Sequence, residues 1–195
     1  MPRMSYDDFL AWKPDDLYVE YVDGRLDEKP IVNFDHQQAL IFLSTLLIAF
    51  VEHYDCGEVI AGPFQMHLAT IDRGREPDVV FIAKANIDRI KDNYLDGPAD
   101  LAVEIVSPGG AIRDRGEKYA EYEAAGVREY WIIDPAVRRA DFFVLDADGR
   151  YNRAAIDNAG IYRSTILDGF WIEVNGLWQR PLPSIPTVLR QLGLI

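Results

Sequence analysis

The spacing of hydrophobic positions predicts four helices along the chain. The clearest is a long helix that starts at Asp35, the expected N-cap, and ends at Gly57. One face of this helix is apolar, at Leu40, Leu43, Leu47 and Phe50. The same criteria predict a short helix ahead of Pro14, an amphipathic helix over residues 111–125 and a final helix over 186–192.

Apolar or alternating runs between turn residues predict the strands. Hairpins are expected around Asp23-Gly24 and around Asp148-Gly149. Further strands are predicted over residues 58–61, 64–69, 77–83, 101–107, 128–134, 162–166 and 170–174. A central order of helix, three strands, helix and strand favours an α/β (α+β) fold, with a mixed central sheet, flanking helices and extra β-hairpins.

Composition and charge limit which binding partners and which cellular location are expected for the protein. The net charge of −12 predicts that any DNA binding without sequence preference is weak, because the surface repels a polyanion. Cys56 is the only cysteine, so no intrachain disulfide is possible and a reducing cytoplasm is the simplest location. The most apolar run, residues 39–51, is shorter than a bilayer span and is interpreted as a buried helix, so no membrane association is expected.

Two carboxylates stand in otherwise apolar runs. Asp78 opens the run VVFIA, and Glu104 lies in the middle of LAVEIVSP, where an uncompensated charge would cost free energy. If the two strands are neighbours, both carboxylates reach one end of the sheet. Such a pair suits Mg²⁺ or Mn²⁺, which would polarise a phosphate oxygen and activate a water. The structural alternative is a turn or cap at Asp78 and an ion pair between Glu104 and an arginine.

An ordered set of segments resembles a known family. The segments are EPDVVF at 76–81, LAVEIVSP at 101–108, the spacing over 113–135 and His36 at the start of the long helix. Together they resemble the Uma-type family of restriction endonucleases, which looks like a branch of the PD-(D/E)XK nuclease superfamily. The resemblance runs from Tyr18 to Asp146.

The resemblance implies both a fold and a site. The fold is a single restriction-endonuclease-like domain over 1–195, with its core at about 18–146 and a β/helix extension over 147–195. The site has Asp78 and Glu104 as ligands of Mg²⁺ or Mn²⁺, with a catalytic lysine beside them.

The chain departs from the superfamily pattern at the lysine and in the loop that follows the strand. Val106 stands where a lysine is expected two residues after the glutamate, and Lys118 on the next helix matches the family's displaced lysine. Gly109 and Gly110 replace a loop serine, which leaves Ser107 as the loop's hydroxyl group.

The position of Lys118 on its predicted helix supports this assignment. Steps of about 100° per residue place it beside the apolar stripe of Ile112, Tyr119 and Tyr122. From there its ammonium is expected within about 6 Å of a Glu104 or Asp78 oxygen. The rival is an outward Lys118 that pairs only with Asp114, four residues earlier.

Two further residues have open roles. His36 either positions a water, phosphate or metal, or is a polar surface residue of the first helical turn. Glu20 is either a third acidic group of the site or, as we favour, part of a solvated strand face.

The leading functional hypothesis is a Mg²⁺-dependent endonuclease that hydrolyses DNA. The main alternative is a non-catalytic oligomeric binding protein that retains the nuclease fold, and a third is acid–base hydrolysis of a glycoside. A homodimer is expected from the exposed edges of a mixed sheet and from an aromatic C-terminal half, although the same rings could instead fill the core. These aromatic residues are Phe142, Phe143, Phe170, Trp171 and Trp178.

Overall fold

The computed structural model describes residues 4–12, 19–28 and 32–195. Its α-helices in this part of the chain are α1 (Tyr6–Trp12), α2 (Phe34–Tyr54), α3 (Ala111–Arg115), α4 (Glu117–Ala125) and α5 (Ile185–Gln191). Short 3-10 turns cover Ala69–Ile71, Lys84–Arg89 and Val174–Trp178.

The strands fall into three sheets. In chain order they are β1 (Val19–Val22), β2 (Arg25–Glu28), β3 (Gly57–Ala61), β4 (Gln65–Leu68), β5 (Arg73–Arg75), β6 (Val79–Ala83), β7 (Tyr94–Asp96), β8 (Leu101–Ile105), β9 (Glu129–Asp134), β10 (Arg139–Leu145), β11 (Tyr151–Arg153), β12 (Ile161–Arg163) and β13 (Trp171–Glu173). The central sheet has the order β11-β10-β9-β8-β6-β3, the second has the order β2-β1-β5-β4-β7, and β12 pairs with β13.

The central sheet is mixed, as predicted, and it is buried on both faces. β8 runs parallel to β9, while its other neighbour β6 is antiparallel to it. Side chains of β8 alternate between the faces. Leu101, Val103 and Ile105 pack with α2 and the C-terminal segment, whereas Ala102 and Val106 pack on the side of α4. Glu104 shares the parity of Ala102 and therefore faces α4.

The helix predicted over 111–125 is two helices. Gly116 separates them with φ −116° and ψ −83°, and a Cβ atom there would lie 2.7 Å from the Ile112 carbonyl oxygen. Ile112 is 87% exposed, so the predicted stripe that joined it to Tyr119 and Tyr122 is wrong. Gly126 ends α4 in the left-handed conformation, as predicted.

The ends of α2 also differ from the prediction. Asn33, not Asp35, is the N-cap, and its side chain accepts a hydrogen bond from the His36 N–H at 2.9 Å. Asp55, not Gly57, ends the helix in the left-handed conformation. Asn33 lies just ahead of the apolar pattern, and the residue three positions on is His36 rather than the Glu or Gln of a capping box, so the sequence did not mark it as the cap.

The second sheet was only partly anticipated. Its β1–β2 hairpin forms around Asp23-Gly24 as predicted, but β5 and β7 were missed. Each of these two strands has three residues, too few to show a period. The strand predicted over 64–69 joins this second sheet, whereas those at 58–61 and 77–83 pair in the central one.

Two burial patterns bear on association. α2 is the one described helix that is long and apolar enough to cross a membrane, and half of its most apolar window is buried inside the fold. Phe142 and Phe170 are also buried and fill the core, so they offer nothing to a second copy. Trp171 and Trp178 are partly buried against the same core.

Candidate active site

The register of two neighbouring strands brings the two predicted carboxylates together. Val79 of β6 pairs with Val103 of β8, so Asp78, one residue before β6, lies opposite Glu104. Asp78 Oδ2 accepts a hydrogen bond from the Ile105 N–H at 2.7 Å. Both carboxylates are buried. The predicted arrangement on adjacent strands is therefore present.

Lys118 reaches these carboxylates from α4. Its Nζ atom lies 2.8 Å from Glu104 Oε1, 3.2 Å from Glu20 Oε1 and 3.9 Å from Asp114 Oδ1. The side chain is almost fully buried, so it is not the outward lysine of the rival hypothesis. The contact predicted between Lys118 and Glu104 exists, although it depends on α4 alone and not on a continuous helix from Ile112.

A tyrosine completes the surroundings of Glu104. The Tyr122 hydroxyl donates to Glu104 Oε1 at 2.7 Å, so this oxygen receives bonds from both Tyr122 and Lys118. Glu104 Oε2 accepts none from the residues that the structure describes. The sequence pattern places Tyr122 only in an apolar stripe. Its position four residues after Lys118, on the same face of α4, was the signal that could have identified it.

Burial dominates the electrostatics of this cluster. Burial raises the pKa of Glu104 to about 8, although nearby Lys118 acts to lower it and the charges of Asp114 and Asp78 act with burial. Asp114 also has a raised pKa, chiefly through burial. Burial opposes the charge of Lys118, but the surrounding carboxylates outweigh it and raise the lysine pKa. The cluster therefore holds a permanent cation beside a carboxyl group that gives up its proton reluctantly.

Glu20 is not on a solvated strand face, and that prediction is wrong. It is fully buried on β1, where Oε1 accepts from the Glu76 N–H at 3.0 Å and Oε2 accepts from Arg75 Nη1 at 3.0 Å. Arg75 is itself buried and also pairs with Glu121 of α4 at 2.7 Å. This network connects the second sheet to α4. Strand β5, which the sequence did not predict, therefore helps to position Lys118 through Arg75.

His36 and Ser107 also line the site. His36 is buried at the start of α2, with its Nε2 atom 3.5 Å from Asp78 Oδ1, so it is not a surface residue. Its Nδ1 atom is buried and has no hydrogen-bond partner among the described residues. Ser107 lies two residues after the end of β8 and borders the same cavity as His36.

The cavity between these residues is small. Its volume is about 30 Å³, enough for one water or one ion. Its lining residues are Val32, His36, Asp78, Glu104, Ile105, Ser107, Gly110, Arg113, Asp114 and Lys118. The predicted site residues therefore meet here, except Glu20, which lies behind Lys118.

The donors present fit a hard divalent cation. Glu104 Oε2 carries no hydrogen bond from a described residue, and His36, which lines the cavity, has a buried Nδ1 atom with no partner among the described residues. No group of three His, Cys, Asp or Glu side chains in the described part of the chain could hold a metal alone. An ion bound by the two carboxylates would therefore keep several waters, which is typical of Mg²⁺.

Comparison with solved structures supports the nuclease fold. The chain is similar to a protein from Anabaena variabilis described as "a putative nuclease belonging to DUF820", with a TM-score of 0.72 and 16% sequence identity. The match covers 90% of this chain and 97% of the other. No curated protein matches the chain. The restriction-endonuclease-like architecture expected from the sequence is thereby confirmed.

The family assignment rests on the sequence itself. The model of the Uma2 family, described as "Putative restriction endonuclease", matches residues 6–175. This range is most of the chain, and it includes every residue that borders the cavity. The protein therefore belongs to the Uma2 family.

Proposed function

We propose that the protein is a Mg²⁺- or Mn²⁺-dependent endonuclease that hydrolyses phosphodiester bonds of DNA. The observation that carries the proposal is the convergence of Asp78, Glu104 and Lys118 on one small buried cavity, with the ammonium 2.8 Å from Glu104. Paired carboxylates beside a fixed cation suit a reaction in which negative charge develops on phosphate oxygens.

Each residue has a separate role in this proposal. Asp78 and Glu104 would hold the ion, which when bound supplies Lewis-acid polarisation of a phosphate oxygen and a water of lowered pKa. Lys118 offsets the charge of the carboxylates and stabilises charge on the phosphate in the transition state. The Ile105 N–H orients Asp78 through its 2.7 Å hydrogen bond, and His36 restrains the other side of that carboxylate.

The size of the cavity argues against acid–base hydrolysis of a glycoside. A volume of about 30 Å³ holds no sugar ring between the carboxyl groups. A phosphate approaching from outside needs only to present one or two oxygens to the ion. The geometry therefore favours phosphodiester hydrolysis.

Cleavage of plasmid and linear DNA with Mg²⁺, Mn²⁺ or EDTA tests the proposal. Wild type is expected to cut with either metal and to stop in EDTA, while Asp78→Asn and Lys118→Met lose about 100- to 1,000-fold in rate. Glu58→Gln, which changes an exposed carboxylate on β3, is the control and should leave the rate unchanged. Cleavage that persists in EDTA, or in Asp78→Asn, contradicts the assignment. Metal binding without any cleavage favours the non-catalytic binding protein.

The proposed partners follow from charge and shape. Binding to duplex DNA is expected to be weak and to fall steeply with salt, because a chain of net charge −12 neutralises few phosphates. A homodimer in the cytoplasm stays a prediction, with the edge strands β3 and β11 as its remaining motive. A monomer mass by light scattering over a wide concentration range would contradict it.

A further inference from the structure

Exposed apolar side chains gather around the mouth of the candidate active site. Phe34 is 71% exposed, Ile112 87%, Val137 66% and Val32 40%. We call these four residues the apolar mouth. They come from three separate parts of the chain: the start of α2, the start of α3 and the turn between β9 and β10. Single exposed apolar residues are ordinary, but a group at one site marks a binding surface.

Two residues of the apolar mouth border cavities at the site, and the other two are their neighbours in sequence. Val32 borders the catalytic cavity directly. Beside it lies a second cavity of about 180 Å³, which shares Ser107 with the first and is bordered by Val137. Phe34 stands between two lining residues of the second cavity, Asn33 and Asp35. Ile112 is flanked by Ala111, which borders the second cavity, and by Arg113, which borders the first.

The cations that line these cavities, and two arginines that contact carboxylates lining them, are already in ion pairs. Arg113 contacts Asp27 at 3.3 Å, and Arg115 contacts Asp134 at 3.1 Å and Asp141 at 3.4 Å. Arg180 contacts Asp35 at 2.8 Å. Lys118 is surrounded by carboxylates. Contacts with phosphates can therefore supply little of the affinity for nucleic acid, so another source of binding energy is needed at the site.

Stacking on bases supplies binding energy that does not depend on net charge. An exposed phenylalanine can stack on any base whose face is free, but the bases of an intact duplex are stacked on one another. The second cavity is smaller than the 300–1,000 Å³ or so of pockets that hold whole small molecules, and this size suits one flat ring.

We infer that the apolar mouth binds an unpaired nucleobase, stacked on Phe34, and that the preferred substrate is single-stranded or locally unpaired DNA. This inference deepens the proposed function and rests on it. Phe34 supplies the stacking face, Val137 borders the base in the second cavity, and Ile112 adds apolar surface next to Ala111 of that cavity. The scissile phosphate beside that base then lies at the catalytic cavity, because the two cavities share Ser107.

Binding in EDTA tests the inference without cleavage. The probes are a short fluorescein-labelled single strand of mixed sequence and the duplex made from it, followed by fluorescence anisotropy at about 0.15 M salt. The single strand should bind more tightly than the duplex. Phe34→Ala should weaken single-strand binding by roughly 5- to 100-fold, and Phe34→Trp should retain it. Ile112→Ala should weaken it by a smaller factor.

Ile41→Ala is the matched control. Ile41 is also an exposed apolar residue of α2, seven residues from Phe34 on the same face but two turns from the mouth. It should bind the single strand like wild type. Equal affinity for single strand and duplex, or a Phe34→Ala variant that binds as well as Ile41→Ala, overturns the inference. A Phe34→Ala variant with unchanged DNA binding but a smaller mass by light scattering would assign the mouth to a second copy of the chain and also overturns it.

A separate assay distinguishes failure of the inference from failure of the proposed function. With Mg²⁺ present, tight single-strand binding through Phe34 without any cleavage leaves the binding site intact and contradicts the nuclease. Cleavage of duplex at the same rate as single strand supports the nuclease and contradicts the inference.

Discussion

Two buried glutamates on neighbouring strands meet opposite surroundings. Glu129 at the start of β9 accepts five hydrogen bonds from neutral donors, and they occupy both carboxylate oxygens. The donors are Trp131 Nε1, the Tyr162 hydroxyl, the Ser164 hydroxyl, and the Thr165 N–H and hydroxyl. Glu104 on β8 instead accepts hydrogen bonds from Lys118 and Tyr122 at Oε1, while Oε2 accepts no hydrogen bond from the described residues.

The difference separates a structural carboxylate from a candidate ligand. None of the hydrogen-bond donors to Glu129 is a cation, yet both of its oxygens are satisfied, so it ties β9 to β12 and to the segment that follows β12. Glu104 borders a cavity, and its Oε2 atom carries no hydrogen bond from a described residue, so it is available to a ligand. A buried carboxylate is thus a candidate for chemistry when its partners leave an oxygen facing space, not merely when it is buried.

Removing Glu129 should give the largest effect. Glu129→Ala leaves several buried donors without an acceptor, so we expect the free energy of unfolding to fall by about 3–5 kcal/mol. Urea denaturation measures it, with Glu58→Ala as the exposed control. The molecules that remain folded should bind Mn²⁺ as wild type does. A loss below about 1 kcal/mol would show that the hydrogen-bond set around Glu129 contributes little.

Glu104→Gln should have the opposite effect to Glu129→Ala, because it should weaken metal binding and leave the fold intact. The amide can still accept from Lys118, so the fold is expected to survive, but the ion loses a charged ligand. Changes in groups behind a metal ligand already cost about 10- to 100-fold in affinity, so Mn²⁺ affinity should drop by at least about 100-fold. Calorimetry measures the affinity, and wild-type-like binding in the variant would remove Glu104 from the metal site.

The pH dependence of stability offers a third distinction. Because burial raises the pKa of Glu104 from 4.5 to about 8, the folded protein keeps a proton that the unfolded chain releases. Without metal, stability should therefore fall as pH rises between about 5 and 8, by up to about 1.4 kcal/mol per pH unit.

Urea midpoints in EDTA at several pH values measure this slope. Glu104→Gln should flatten it, since its amide does not titrate, and Mn²⁺ should stabilise wild type more at the higher pH, where it replaces the proton. A slope that is equally steep in Glu104→Gln would assign the effect to another group.

The sequence predicted the parts of the fold and site that depend on local pattern. Alternation and apolar runs located β6, β8 and β9 and singled out Asp78 and Glu104, and the family resemblance then added Lys118. Whether these residues act in catalysis stays a prediction. The proximity of the two carboxylates follows from strand register. Because Val79 pairs with Val103, Asp78, one residue before β6, lies opposite Glu104.

The parts that were missed depend on contacts distant in sequence. Glu20 reads as a surface residue on a short hairpin, and only its pairing with Arg75, 55 residues later, buries it. Glu129 gave no signal, because its donors are mostly in a segment 33 to 36 residues further along. The break at Gly116 was missed because a single glycine is tolerated in many helices.

The comparison with the smallest expected effect removes, for each glutamate, the one tyrosine hydroxyl that donates a hydrogen bond to it. Tyr122 donates to Glu104 at 2.7 Å, and Tyr162 donates to Glu129 at 2.6 Å. Both rings are buried and pack on other aromatic rings, so a phenylalanine keeps the packing in either place. Each substitution should therefore cost about 1 kcal/mol of stability through one lost hydrogen bond.

Only Tyr122→Phe should also change metal binding. The hydroxyl stabilises the ionised form of Glu104, so its loss raises the pKa of that carboxyl group further, and protons compete better with the ion. We expect Mn²⁺ affinity to fall by less than about 10-fold, with a larger drop at pH 6 than at pH 8. Tyr162→Phe, measured by the same calorimetry, should bind Mn²⁺ as wild type does. If both variants lose affinity equally, the two glutamates belong to one coupled unit and the distinction between them is wrong.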